Sequence, residues 1–584
     1  MNNIIQKINN NIFRDFLSVL DSNRVKEKDK SPEYLQWLDE EMVDMVKEFA
    51  SQEKLLDSCF IKQLNCAFNT DRFDLLIKKW LVDYFVSLFS LFDSYSNETE
   101  NSLNIEDNPG NRFAYNRYRS KFNRIARVNW LPRKGILSRV LCIVLMALRI
   151  VISSVKTGVN VKPLKKHYKV MRETLWGLYD RGSYFYDNFM IDGEIIKDEY
   201  LLLFSRGVSP DVTRLKAYND AKKSPYSLFV LAKLPVSVAI IFFRIIPKYI
   251  VAGSLVMFRE IKSVDFSLYF SLFAFFCTKA IPYEKVFSNF MATSELGHNY
   301  YSASHIPEAI VCQNYGTKYY LMHWSDNSTH GNRYVSAFLA CDKYFLWGDA
   351  HIQGHEGRRD ILCPIGYVFK NFIIKATGER DKIVKKIGIR EGSKIVSFFD
   401  ESFGGDSGML EDHHLNLWKA ALELARHNPA IAVIIKPKID VKYFEKHSRY
   451  SKQGLNEFAE IYANIKQCAN ATVIPPAEWS FIEIIAISDV VVTQGMTSSA
   501  TIALICGKEG LYFHQSYYYH PFVEKFKDQL VFDDPEKLIS AIDDILSGRQ
   551  SPKKQISPEI LREYDASSDI AAIDRFRNVL AGVR

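Results

Sequence analysis

The sequence predicts an α/β protein with two Rossmann-like domains facing a cleft and an added N-terminal helical region. Three observations carry that expectation. From about residue 285 onward, short apolar runs alternate with helical patterns, the mark of βαβ units and parallel sheets. The alternation pauses near residue 376 and then starts afresh, so there are two such units in tandem. The length of 584 residues exceeds what one core fills, which leaves room for helices ahead of both.

Residues 1–105 form the helical region. Apolar residues recur there at helical spacing, as in Trp37, Met42, Met45 and Val46, then Leu75, Leu76, Trp80 and Leu81. A stretch rich in Asn and Glu, closed by Asn108-Pro109-Gly110, reads as an exposed loop. Hydrophobic residues make up 47% and charged residues 24%, a globular balance, and 40 Phe and 31 Tyr make the chain unusually aromatic. The nine Cys show no CxxC pair or Cys/His metal spacing, which argues against a disulfide framework or a zinc site and for a reducing, cytoplasmic setting. Met1-Asn2-Asn3-Ile4-Ile5 lacks the basic start and apolar core of a secretory signal, so no export is expected.

Residues 106–195 are read as a basic, apolar, membrane-associating helical segment. Between Asn108 and Arg172 there is no acidic residue, so the net charge of +7 is concentrated here. The apolar run from Val140 to Leu148, between Arg139 and Arg149, is too short to cross a hydrocarbon core that needs about 20 such residues. An amphipathic helix lying in the plane of an anionic membrane surface is expected instead. Nucleic acid, the other polyanion, is disfavoured because the interleaved residues are aliphatic runs rather than isolated stacking aromatics. A buried helix with a solvated basic face accounts for the same residues. Further runs, Leu234 to Phe243, Ile250 to Phe258 and Phe266 to Phe276, are broken by Pro235 and Pro247 and by basic residues, and suit core helices better than spans.

Within residues 196–375, read as the first Rossmann-like domain, strands are expected over 285–291, 319–322 and 344–347, with helices over 306–314 and 335–340. Ligand sites of such sheets lie at the carboxyl ends of strands. Glu295 and His298 follow the first expected strand, and His323 and Asp326 follow the second; eight of the 13 His lie between residues 298 and 414.

Residues 376–389 read as a connector, and 376–550 as the second Rossmann-like domain, followed by a C-terminal helix over 551–584. Strands are expected over 394–399, 430–435, 472–474 and 510–513, with helices over 415–425 and 455–466. The segment organising this half is Val490-Val491-Val492-Thr493-Gln494-Gly495-Met496-Thr497-Ser498-Ser499, a β-branched strand, a tight turn and the capped start of a helix ending at Gly507. A helix start favours an anion, and Lys436 at another strand end supplies a cation, together a diphosphate clamp. A capped helix in any α/β domain is the plain alternative.

These residues resemble glycosyltransferases of the GT-B type. The C-terminal half is similar to the bacterial surface-polysaccharide and capsule branch, through Lys436-Pro437-Lys438, Ser488-Asp489-Val490-Val491-Val492-Thr493, Gly495, Ser498-Ser499, Ala503 and Gly507-Lys508. Phe345-Leu346-Trp347-Gly348-Asp349 and Pro364-Ile365-Gly366 resemble the end of the acceptor domain in that group. Two departures set the chain apart: Lys438 stands where many relatives have His, and Glu509 where Pro is usual. The resemblance covers roughly residues 285–550 and implies transfer of a sugar from a nucleotide-sugar donor to a surface glycan or lipid-linked acceptor, without a bound metal or cofactor, on the cytoplasmic face of the membrane.

Glycosyl transfer needs a base for the acceptor hydroxyl and cationic or N–H groups for the leaving phosphate. Glu295, His298, His323 and Asp326 are the candidate bases. Lys436, Thr497, Ser498 and Ser499 are the candidate phosphate ligands, with Gln494 and Gly495 shaping their loop. A polyol-phosphate transferase resembling the CDP-glycerol enzymes is the runner-up, and a non-catalytic membrane scaffold with a degenerate transferase fold the alternative from another class.

Overall fold

The computed structural model describes residues 32–53, 55, 59–96, 103–106, 108–122, 128–131, 135–155, 166–174, 200–204, 227–230, 244–262, 266–297, 302–323, 337–352, 359–401, 403, 410–441, 450–476, 478–515, 521–551, 556–567 and 569–580. Two parallel sheets dominate it, each the centre of a Rossmann-like lobe.

The high aromatic content is explained by how the N-terminal helices dock. Pro32–Gln52, Cys59–Ala67, Phe73–Ser96 and Pro109–Phe122 pack through rings, for example Trp37 on Phe89 with centroids 4.9 Å apart. Phe60 stacks on Tyr269 at 4.5 Å, and Phe73 meets Phe276 at 4.8 Å, so these helices share one apolar core with the long helix Phe266–Asn289 of the first lobe. Polar ties fix the register: Arg72 Nη1 donates to the Ala309 carbonyl at 2.9 Å, and Asp83 accepts the Ala303 N–H at 2.9 Å. Helix Phe266–Asn289 has the length and composition to cross a membrane, but 72% of its apolar window is buried inside the protein, which makes it a core helix.

A small parallel pair, β1 (Leu103–Glu106) and β2 (Val128–Leu131), precedes the lobes. The first lobe's sheet contains β3 (Lys166–Thr174), β4 (Tyr200–Phe204), β5 (Ser227–Val230), β6 (Phe290–Gly297), β7 (Lys318–Met322), β8 (Lys343–Leu346) and β9 (Leu362–Pro364), in the order β5-β4-β3-β6-β7-β8-β9. This sheet therefore begins at Lys166, inside the segment read as membrane-associating, and ahead of the boundary expected at 196. The strand expected over 285–291 is also corrected. Helix Phe266–Asn289 runs on through Pro282, because its buried residues keep helical spacing past the apolar run, and β6 starts only at Phe290. The described part of the helix expected over 335–340 is irregular, with Phe338 in the left-handed region at φ +57.

The second sheet contains β10 (Lys394–Phe399), β11 (Ile431–Lys436), β12 (Ala471–Val473), β13 (Val490–Gln494), β14 (Glu509–Phe513) and β15 (Val531–Phe532), in the order β12-β11-β10-β13-β14-β15. β10, β11 and β13 are buried on both faces, as their unbroken apolar runs require. Two local devices shape the centre. Ser480 and Glu483 cap the helix Phe481–Ile487 reciprocally. Gly510 lets the helix Ser498–Ile505 lie close on β14, since a Cβ there would come within 2.4 Å of the Ala500 carbonyl oxygen.

The expected connector over 376–389 is itself helical, as Lys370–Gly378 and Arg380–Ile387. Arg380 ties it to the second lobe, donating to the Ile487 and Ser393 carbonyls and to Asp489. Two helices, Pro558–Tyr564 and Ala572–Leu580, replace the single one expected over 551–584. They return to the first lobe: Ser294 Oγ donates to the Leu580 carbonyl at 2.9 Å, Phe576 meets Phe345 at 4.8 Å, and Lys370 pairs with Asp565 at 2.7 Å.

Candidate functional site

In the second sheet the strand order reverses between β10 and β13, and in open α/β sheets ligands bind beside the carboxyl ends at such a point. Phe399 of β10 is level with Lys436 of β11 on one side and Thr493 of β13 on the other. The residues that follow, Asp400-Glu401, Pro437-Lys438 and Gln494-Gly495, therefore emerge side by side.

Gln494 bridges the reversal. Its Oε1 accepts the Glu401 N–H at 3.0 Å, and its buried Nε2 has no hydrogen-bond partner among the described residues. Gly495 turns the chain at φ +61, a conformation glycine adopts without strain, and donates to the Phe513 carbonyl at 2.8 Å. Thr497 occupies the cap position of helix Ser498–Ile505, but its hydroxyl turns back to the Gln494 carbonyl at 3.1 Å and to Thr493 Oγ1. It does not cap the helix, so the first-turn amides beside half-buried Ser498 and Ser499 receive no side-chain oxygen from Thr497.

Lys436 is 6% exposed, and its Nζ donates to the Pro475 carbonyl at 2.8 Å. Burial pushes its ammonium down to about 7, against the opposing pull of Glu478, Asp400 and Glu483. The cation is thus poised near neutrality and responds to any anion placed beside it.

A supporting network escaped sequence reasoning. Asp400 accepts Trp418 Nε1 and His414 Nε2, both at 3.1 Å, and the Lys438 N–H. His414 Nδ1 in turn meets the Tyr450 hydroxyl at 2.5 Å. Lys438, one of the two residues that depart from the sequence pattern the chain resembles, pairs with Glu401. Asp400 directly after a strand and His414 near a helix start were the available signals, but only the topology brings them together.

The first lobe treats its candidates differently. Glu295 lies on β6 beside Met171 and Tyr319, fully buried, and accepts the Cys312 thiol at 2.8 Å. Burial and this carboxylate push the Cys312 thiol well up. Because Cys312 belongs to helix His305–Asn314, Glu295 points between helix and sheet rather than toward the strand ends, and the expectation of a base there is corrected. His323 follows β7, with its Nδ1 2.9 Å from the Tyr344 hydroxyl and its ring 4.3 Å from that of His351. Tyr564 of a returning C-terminal helix covers this cluster, 5.9 Å from His351. His298 and Asp326 lie outside the described residues.

No protein-family model matches the chain, and no curated protein sequence matches it. Solved structures similar to it include the wall teichoic acid polymerase TagF, 11% identical, covering 76% of this chain and 97% of that one with a TM-score of 0.42. Others are α,α-trehalose 6-phosphate synthase from Burkholderia multivorans (12%, 72% and 97%, 0.40) and UDP-GlcNAc 2-epimerase from Neisseria meningitidis bound to UDP-GlcNAc (10%, 71% and 100%, 0.38).

The second-lobe arrangement offers a cation, an amide donor and helix-end N–H groups at one edge of one sheet. All three favour an anion with several oxygens, as a phosphate or diphosphate has.

Proposed function

We propose that the protein is a glycosyltransferase that moves a sugar from a nucleotide-sugar donor to a surface glycan or lipid-linked acceptor at the cytoplasmic face of the membrane. The observation that carries this reading is Gln494 Nε2, buried at the strand reversal with no hydrogen-bond partner among the described residues, on the same sheet edge as the strand end at Lys436 and the helix start at Ser498. A buried amide donor without a partner costs about 1–3 kcal/mol, which a ligand oxygen would recover. The sequence resemblance over residues 436–438 and 488–508 supports the sugar-transfer chemistry.

In this mechanism the acceptor hydroxyl attacks the anomeric carbon and the nucleoside diphosphate leaves. Negative charge gathers on the departing phosphate, where the Lys436 ammonium, the Gln494 amide and the first amides of helix Ser498–Ile505 stabilise it. Ser498 and Ser499 add hydroxyl donors, and Gly495 keeps the turn narrow enough for the approach. The base for the acceptor proton comes from the first lobe, at His298, His323 or Asp326. No cofactor takes part.

The test is a thermal-shift series with UDP, GDP, CDP and CMP on the wild type, Lys436→Ala and Gln494→Ala. A ligand bound only by the folded state raises its stability by RT ln(1 + [L]/Kd). A nucleotide-dependent rise in the wild type that both variants lose supports the reading; equal responses in all three overturn the assigned grip. Analysis of the product bond then decides the chemistry, since a phosphodiester in place of a glycosidic bond marks a polyol-phosphate transferase.

A further inference from the structure

Helix Ile136–Val155 has two unlike faces. Cys142, Ile143, Met146 and Ile150 are buried in the core shared with helix Phe266–Asn289. Arg139 is drawn inward too, donating to the Ile261 carbonyl at 2.8 Å with its guanidinium 5.1 Å above the Phe266 ring. On the opposite face Leu137 is 87% exposed, Leu141 52%, Val144 45% and Leu148 52%. Steps of four, three and four residues set these four in one straight stripe along the helix. Phe258 is also exposed, on helix Gly253–Arg259, which packs against this one, ends at exposed Arg259 and is followed by exposed Lys262. Of the nine large hydrophobic residues exposed among the described residues, Ile136 and these five make six. Such clustering marks a surface that is covered in use.

We infer that this face docks on an anionic lipid bilayer, with the helix lying in the membrane plane. The charge selects that occupant. Residues 108–172 contain no acidic residue, and beside the stripe exposed Arg259 and Lys262 outnumber the half-buried Glu260, so a second copy of the chain would bring like charge against like, whereas anionic headgroups neutralise it. Burial of the opposite face, with Arg139 tied into the core, rules out a spanning orientation. The stripe is four side chains long and one wide, which suits shallow insertion at the headgroup boundary. The inference names the surface behind the membrane location proposed above and stands independently of the transfer chemistry.

The experiment is co-sedimentation of the full chain with vesicles of phosphatidylcholine, with and without phosphatidylglycerol. The wild type is expected to sediment with the anionic vesicles only, and less so at high salt. The variant Leu137→Gln/Leu141→Gln/Leu148→Gln is expected to bind at least about tenfold more weakly. Because these positions are exposed, it should keep the wild-type melting temperature and nucleotide response. A wild type that stays in solution with both vesicles, or a variant that sediments equally, overturns the inference. So does a concentration-dependent dimer, seen by analytical ultracentrifugation, that the same substitutions abolish.

Discussion

Gln494 and Glu401 stand 93 residues apart in sequence, yet one hydrogen bond of 3.0 Å, from the Glu401 N–H to Gln494 Oε1, closes the gap between the two central strands of the second lobe. One end of this side chain is therefore structural, while the other, Nε2, is used by none of the described residues. Gln494→Ala removes both at once. We expect a loss of about 1–3 kcal/mol in urea unfolding, from the Glu401 amide left without its acceptor. Gln494→Glu keeps an acceptor for Glu401 but replaces the donor, and should lose the nucleotide-induced rise in melting temperature while keeping more of the basal stability than Gln494→Ala.

Lys436 predicts a pH dependence. Its folded value of about 7 lies below the value of about 10.4 in an unfolded chain, so across that window the unfolded state holds a proton that the folded state lacks. Stability from this group therefore rises with pH from about 7 to about 10.4. Lys436→Met should flatten that slope and gain most at the acidic end, as measured by denaturant unfolding from pH 6 to 10. A bound diphosphate favours the charged form, so nucleotide binding at pH 8 should take up protons, read by calorimetry in buffers of different ionisation enthalpy. The variant should show no such uptake.

Asp400 holds three donors from two parts of the chain: Trp418 and His414 of the helix Glu411–His427, and the Lys438 backbone after β11. Asp400→Ala should cost about 3 kcal/mol or more, since each buried donor left unmade costs about 1–3 kcal/mol. His414→Ala releases only one of them and should cost less. Urea midpoints of the two variants give the comparison.

Gly348 lies under the returning C-terminal segment, where a Cβ would come within 2.3 Å of the Glu563 carbonyl oxygen. The Ala566 N–H donates to the Trp347 carbonyl next to it at 2.9 Å. Gly348→Ala should lower stability by about 1–3 kcal/mol and speed limited proteolysis near residues 563–567. Unchanged cleavage would place the two segments further apart than described.

The second lobe was largely legible in the sequence because its strands are continuous apolar runs bounded by Gly, Pro and charged residues. β10, β11, β12 and β14 start within a residue of expectation. The first lobe was less so. β3 carries Lys166, His167, Lys169 and Arg172, and its period-two signal, with His167 exposed and Tyr168 and Val170 buried, was hidden under a charge pattern that spoke of a membrane. The places of Lys436 and Gln494 at the ends of β11 and β13 were legible because strand-end position is written in the local sequence. Glu295 was misassigned because alternation along β6, not polarity, decides which way a side chain points. The Asp400, His414 and Tyr450 chain links residues 14 and 36 positions apart, a relationship no local pattern encodes.

The bond from Ser294 to the Leu580 carbonyl spans 286 residues and fastens a helix of the second half onto a strand of the first. During synthesis, the first lobe must wait for the whole of the second to leave the ribosome before its exposed face is closed. Until then that face lacks the cover that Phe576 gives Phe345, and exposed apolar surface of this kind is where a partly folded chain is prone to aggregate.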